Sequence, residues 1–377
     1  MIRIFIFVIL AVLLSSCGGQ KTTSADGGDT LSFSYAKLLE IVRYQGFTVA
    51  TISHPWRTGA VLHQYVLVPA DSVLPADLPE GTVIRTPLRC SVVFTTVHCS
   101  LLSMLHREQR VAGVADLKYI KAPFVQAGVK NGRITDCGDG MSPVIEKIID
   151  LHPDALLLSP FENNGGYGQL EEIDIPIVEC AEYMEPSPLG RAEWVRFYGM
   201  LYGCEHEADS LFAVVDSSYN ALKQLPANDK LHTSNNKIQT VIDKMTGSVW
   251  YVPGGRSTIG QMLADAGADY PWANDEHSGS VALPFETVLE RAGESNVWLL
   301  RYNGKKPLTC QQLLSEHRGY SQFRSFREGR VYGCNVEQSL FYEESPFRPD
   351  LLLSDFIRVL YPDALPHGEL RYYHKVR

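Results

Sequence analysis

Six aromatic residues and three arginines stand beside the ends of short apolar runs. Tyr119, Phe161, Tyr167, Tyr251, Tyr302 and Tyr342 offer flat faces that can stack on a ring-containing ligand. Arg256, Arg301 and Arg348 offer planar, permanently charged groups suited to carboxylate or catecholate oxygens. Thr96, His98 and Glu162 add polar atoms at similar positions. Where strands alternate with helices, a ligand binds beyond the carboxyl ends of the strands. The predicted ligand-binding set is therefore Thr96, His98, Tyr119, Phe161, Glu162, Tyr251, Arg256, Arg301, Tyr302, Tyr342 and Arg348. This is recognition chemistry. No Gly-x-Ser-x-Gly elbow or His-Glu-x-x-His pair occurs, so no catalytic residue is assigned and an exported hydrolase is the remoter reading. His98, Asp116, Asp139 and Glu162 follow successive strands, which makes a direct zinc or manganese site the nearer alternative. A single histidine and the lack of a His-rich loop argue against it.

The elements that must place these residues are legible as periodicity. Ser91–Thr95, Val111–Val114, Ala155–Leu158 and Ile175–Glu179 are short apolar runs with helical segments between them. Gln239–Ile242, Val297–Leu300 and Val331–Cys334 repeat the pattern after a long helical stretch. Such alternation predicts parallel sheets covered on both faces. The fold class is α/β: two Rossmann-like lobes, 87–187 and 237–377, joined by one long helix over 188–226. Residues 31–86 are β-branched and punctuated by Pro and Gly, and read as a small β-rich N-terminal extension. Ser257 is placed as a helix N-cap, with Arg256 beside a helix start that would suit an anion.

The chain has 377 residues, 34 basic and 43 acidic, for a net charge of −9. No basic stripe is present, which excludes a nucleic-acid partner. Residues 1–16 read as a signal peptide: Arg3, then an apolar run from Ile4 to Leu14 too short to span a bilayer. Leu14-Ser-Ser-Cys17 resembles the lipobox of bacterial lipoproteins, so Cys17 is the expected lipidation site and 17–30 a flexible tether. Seven further cysteines, an odd number without Cys-x-x-Cys spacing, leave the pairing open, with Cys90–Cys99 one possibility.

The two lobes also echo each other. Ser142-Pro-Val-Ile-Glu146 opens one helix–strand unit and Leu283-Pro-Phe-Glu286 opens another. With the leader, the lipobox and the linking helix, these segments resemble the substrate-binding proteins of metal-chelate ABC importers, over about residues 87–377. Ile149-Asp-Leu-His-Pro-Asp-Ala-Leu-Leu-Leu is the most specific stretch. The resemblance implies a monomeric, periplasm-facing lipoprotein without enzymatic activity or resident cofactor. Its ligand would be a ferric siderophore, haem or cobalamin, and its partner an inner-membrane ABC permease. It also implies that Glu146 and Glu286 dock onto permease arginines. The extension over 31–86 lies outside the common family pattern.

Overall fold

The computed structural model describes residues 27–162, 166–228 and 238–377. Cys17 and most of the tether lie outside them. In the first lobe five parallel strands run in the order Ile177–Glu179, Ala155–Leu158, Ser91–Val93, Val111–Val114 and Thr135–Asp136. In chain order this is 5-4-1-2-3, the doubly wound arrangement, which reverses direction between Ser91–Val93 and Ala155–Leu158. Both of those strands are fully buried, as unbroken apolar runs in a two-sided sheet should be. In the second lobe Thr240–Ile242, Val297–Tyr302 and Val331–Asn335 pair in parallel, and Tyr373–Lys375 closes the edge antiparallel. A separate antiparallel sheet, Met245–Thr246, Val249–Pro253 and Ser280–Leu283, packs beside it.

The linking segment holds one long helix, Glu205–Asn228, but that helix does not fill 188–226. Pro188–Glu193 and Val195–Tyr202 precede it as separate helices. Gly203, at φ +62°, caps the second and turns the chain. The long helix joins the two cores: Ala208 lies in the first lobe's core, Val215 and Tyr219 in the second's, and Leu211 and Phe212 pack against both. Phe347, from the second lobe, is buried in the first lobe's core and meets the rings of His98 and Tyr198. Burying one such side chain contributes about 1.5–3 kcal/mol.

The extension is a five-stranded sheet, Asp29–Leu31, Leu39–Tyr44, Phe47–Ser53, Val61–Pro69 and Thr82–Thr86, antiparallel except for its last pair. Its Ile41, Ile52, Tyr65 and Ile84 share one core with Val93, Leu101 and Trp194 of the lobe. Two buried carboxylates hold its entry. Glu193 accepts backbone N–H groups from Ser34, Tyr35 and Ala36 at 2.7–2.9 Å, and Glu185 accepts from Lys37 and Leu38 at 2.9 Å. Charge-assisted bonds of this kind satisfy carboxylates that burial would otherwise penalise. Tyr65 donates its hydroxyl to Ile177 O at 3.1 Å and accepts from Glu179 N at 2.8 Å. It occupies the open edge of the lobe's sheet, where unpaired backbone groups would otherwise stand. All seven cysteines among the described residues are free, Cys90 and Cys99 included.

Candidate functional site

The reversal point of the first sheet opens into a cavity of about 470 Å³, lined by Phe94, Thr95, Asp116, Met141, Phe161 and Tyr167 among others. The strand ends of the second lobe open into another, of about 310 Å³, lined by Asp243, Lys244, Tyr251, Arg301, Tyr302 and Tyr342. The lobes touch between them. Thr96, next to Thr95, donates to Glu343, next to Tyr342, at 3.3 Å, and Lys121 donates to Val336 O. The two cavities therefore flank one interlobe seam. The first cavity is walled mostly by apolar and aromatic side chains, and the second mostly by polar ones among which three tyrosines stand, so each offers aromatic faces beside polar groups.

The structure sorts the expected residues. Tyr251, Arg301, Tyr302 and Tyr342 are gathered in the second lobe's cavity, and Phe161 lines the first. Glu162 faces a third cavity of about 290 Å³, between the extension and the lobe. Tyr119 is 63% exposed, lies beside Lys118 and stands outside these cavities. The three arginines form no ring of free charge. Arg301 is bidentate to Asp243, with Nε to Oδ1 at 2.9 Å. Arg348 is bidentate to Asp350 at 2.8–2.9 Å. Arg256 pairs with Glu276 at 3.0 Å on the exposed surface, although Ser257 caps the following helix as expected. Each guanidinium answers a carboxylate of its own lobe; for Arg301 and Arg348, which are largely buried, a charge drawn toward low dielectric needs such a fixed partner.

His98 is wholly buried and belongs to an internal network. Its Nδ1 meets Thr95 Oγ1, and its Nε2 lies 2.9 Å from the Tyr198 hydroxyl and 3.3 Å from Glu182. Burial works to lower its pKa, but Cys180 and Glu182 outweigh burial and raise it to about 10. Glu182 shows the converse: burial opposes its charge, yet His98 and then Arg191 hold its pKa below the usual carboxylate value. Among the described residues His98, Cys180 and Glu182 are the one set of three metal-capable groups, within 4.8 Å of one another. Both ring nitrogens of His98 are already engaged, so the set acts as a buried ion network. The quartet of the alternative metal reading, His98, Asp116, Asp139 and Glu162, is not assembled among the described residues: Asp116 and Asp139 share Lys118 at 3.8 and 3.4 Å.

Glu146 and Glu286 occupy matching places. Each stands exposed in the first turn of a helix, Ile145–Asp150 and Phe285–Ala292, that follows a short strand. Neither carboxylate has an ion-pair partner among the described residues.

The family model for periplasmic binding proteins matches residues 99–337, well over half of the chain and parts of both lobes. The chain belongs to the periplasmic binding protein family. As such it is a solute-binding component of the ABC transporter class. Two uncharacterised lipoproteins of Methanocaldococcus jannaschii resemble this binding protein: one is 25% identical over 98% of this chain and 94% of its own length, the other 24% over 84% and 81%. Among solved structures, the molybdate-binding protein MolA of Haemophilus influenzae superposes with a TM-score of 0.61 at 16% identity, covering 80% of this chain and 94% of that one. A periplasmic haem-binding protein of Pseudomonas aeruginosa gives 0.59 at 16%, covering 77% and 99%. A binding protein of Veillonella parvula gives 0.58 at 16%, covering 91% and 98%. At such identities the likeness shows the fold. The family and the lipoprotein names of those relatives agree with the expected lipid-anchored, periplasm-facing location. No described helix is long and apolar enough to cross a membrane.

Several side chains of this binding protein escaped sequence reasoning. Asp243 directly follows a buried strand, and that position was the available sign that Arg301 would be answered. Glu182 and Tyr198, which fix His98, are 84 and 100 residues away from it along the chain. Trp56 and Arg57 line the third cavity from the extension, and nothing in their spacing marks them.

Proposed function

We propose that this binding protein captures a metal chelate, a ferric siderophore, haem or cobalamin, in the seam between its lobes and delivers it to an ABC permease. The observation that carries this reading is the facing pair of cavities, about 470 and 310 Å³, with Phe161, Tyr167, Tyr251, Tyr302 and Tyr342 in their walls. Such volumes suit ligands of drug size or above, and aromatic walls suit rings. Because Arg301, Arg348 and Arg256 are each paired, stacking carries more of the recognition than charge does. That favours a chelate of low net negative charge. The protein binds its cargo without transforming it, acts as a monomer, and presents Glu146 and Glu286 as two anionic points that orient it on the permease. Calorimetric titration with cyanocobalamin, haemin and ferric siderophores tests the reading: one of them binds with a sub-micromolar dissociation constant, and a flat response to all would overturn it.

A further inference from the structure

The cavity of about 290 Å³ is built between the extension and the first lobe, with the larger share of its lining from the lobe. His54, Trp56, Arg57 and Leu62 face Phe161, Glu162 and Tyr167 across it. Phe161 and Tyr167 also line the 470 Å³ cavity, so the two spaces adjoin at these rings. The extension side is stiff. His54 N donates to Ala60 O at 2.8 Å and Ala60 N to Arg57 O at 3.1 Å, closing a tight turn. Trp56 N donates to His54 Nδ1 at 3.2 Å, and the two rings meet edge to face at 5.8 Å. The lobe side is fixed as firmly. Tyr167 donates its hydroxyl to Glu179 at 2.8 Å, and Glu179 also meets His63 of the extension at 3.1 Å. Glu171 accepts the Tyr167 backbone N–H at 2.7 Å.

Three groups on these walls are left unanswered. Arg57 and Glu162 form no ion pair among the described residues, and the Trp56 indole N–H has no protein acceptor there. Rigid aromatic faces with free polar groups at their rim are the composition of a recognition subsite. The extension is locked to the lobe by Tyr65, Glu185 and Glu193, so these walls cannot drift apart independently.

We propose that the turn over residues 54–60 is a third wall of the ligand site, where Trp56 stacks on an aromatic side arm of the chelate whose metal-bearing core fills the 470 Å³ cavity. Arg57 donates to polar groups on that arm and Glu162 accepts from them. This deepens the chelate reading and rests on it. The extension thereby selects among chelates that share a core and differ in their arms.

The test is calorimetric titration of the intact protein, with Trp56→Ala, Trp56→Phe and Arg57→Glu beside it. The probes are cyanocobalamin, cobinamide (the same corrin ring without the aromatic nucleotide arm), haemin and ferrichrome. The expected result is a preference for cyanocobalamin over cobinamide of about tenfold or more, lost in Trp56→Ala and Arg57→Glu and largely kept in Trp56→Phe. Unchanged melting of Arg57→Glu, an exposed position, guards against misfolding. Binding confined to haemin or ferrichrome, which lack such an arm, overturns the proposal and leaves the chelate reading standing. So does cyanocobalamin binding that Trp56→Ala and Arg57→Glu do not weaken. No binding by any probe overturns the chelate reading and this proposal with it.

Discussion

Arg301 and Asp243 meet as a bidentate pair at the mouth of the second lobe's cavity, 58 residues apart in the chain. The pair neutralises the one predicted arginine that does line the cleft. Asp243→Asn is expected to leave the guanidinium unanswered and to raise affinity for an anionic chelate relative to a neutral one several-fold. It should also destabilise the lobe by about 1–3 kcal/mol, the scale of a broken charged hydrogen bond. The ratio of dissociation constants for haemin and cyanocobalamin, with denaturant melts, checks both. Arg256→Ala, by contrast, should change affinity less than about twofold, because an exposed pair is worth about 0–1 kcal/mol.

The His98–Glu182 network makes stability depend on pH. The His98 pKa is raised in the folded state to about 10, so its contribution is complete below the ordinary value of 6.5 and is lost as pH rises through about 10. The Glu182 pKa is lowered, so its contribution is complete above the ordinary value of 4.5 and is lost as pH falls through the folded value. Tyr198, Arg191, Cys180 and Thr95 surround the pair and set this balance. Melting temperature should therefore hold between these limits and fall toward pH 10. His98→Ala should cost about 3–5 kcal/mol at pH 7, since it strands buried charge, and should flatten the alkaline limb. A melt series across pH that shows the same alkaline slope in the variant would contradict this account.

The extension should behave as part of the lobe. Tyr65→Phe removes one hydroxyl that serves both Ile177 O and Glu179 N. The expected loss is about 1–3 kcal/mol, that of leaving buried backbone groups unsatisfied, with faster hydrogen exchange along Ile177–Glu179. An unchanged exchange rate there would show that Tyr65 does not close the sheet edge.

How much of this was legible in the chain depended on whether a property was local. Val111–Val114 and Ala155–Leu158 are strands with the bounds their apolar runs announced, and the helix expected to open at Leu283-Pro-Phe-Glu286 is Phe285–Ala292. Glu146 and Glu286 fall in first turns because Pro143 and Pro284 mark the helix starts. What failed was long-range pairing. An arginine at a strand end reads the same whether it faces a ligand or an aspartate, and only folding brings Asp243 to Arg301. The break at Gly203 was visible as a glycine, but its effect depended on helix Val195–Tyr202 packing back onto Glu205–Asn228. Residues 31–86 read as a separate β subregion because their shared core with Trp194 and Leu101 is a tertiary property.

Small closure follows from the same shared cores. Phe347 sits in the core of the opposite lobe, and the helix Glu205–Asn228 belongs to both. Solution scattering with and without ligand should show nearly superimposable curves. A large compaction would mean that Phe347 leaves its site.

Two exposed carboxylates, Glu146 and Glu286, without ion-pair partners among the described residues predict a separation of binding from delivery. Glu146→Ala with Glu286→Ala should leave the ligand dissociation constant unchanged and abolish uptake in cells carrying the transporter. Weakened ligand binding by the double variant would remove these residues from the docking role.

The central claim is that the interlobe seam holds a metal chelate. Tryptophan fluorescence of the protein, titrated with cyanocobalamin, haemin and a set of ferric siderophores, tests it most directly. Saturable quenching by one of these at sub-micromolar concentration, reduced at least about tenfold by Phe161→Ala or Tyr342→Ala, is the predicted result. Flat titrations across the set, with a known chelate-binding protein responding in parallel, would contradict it.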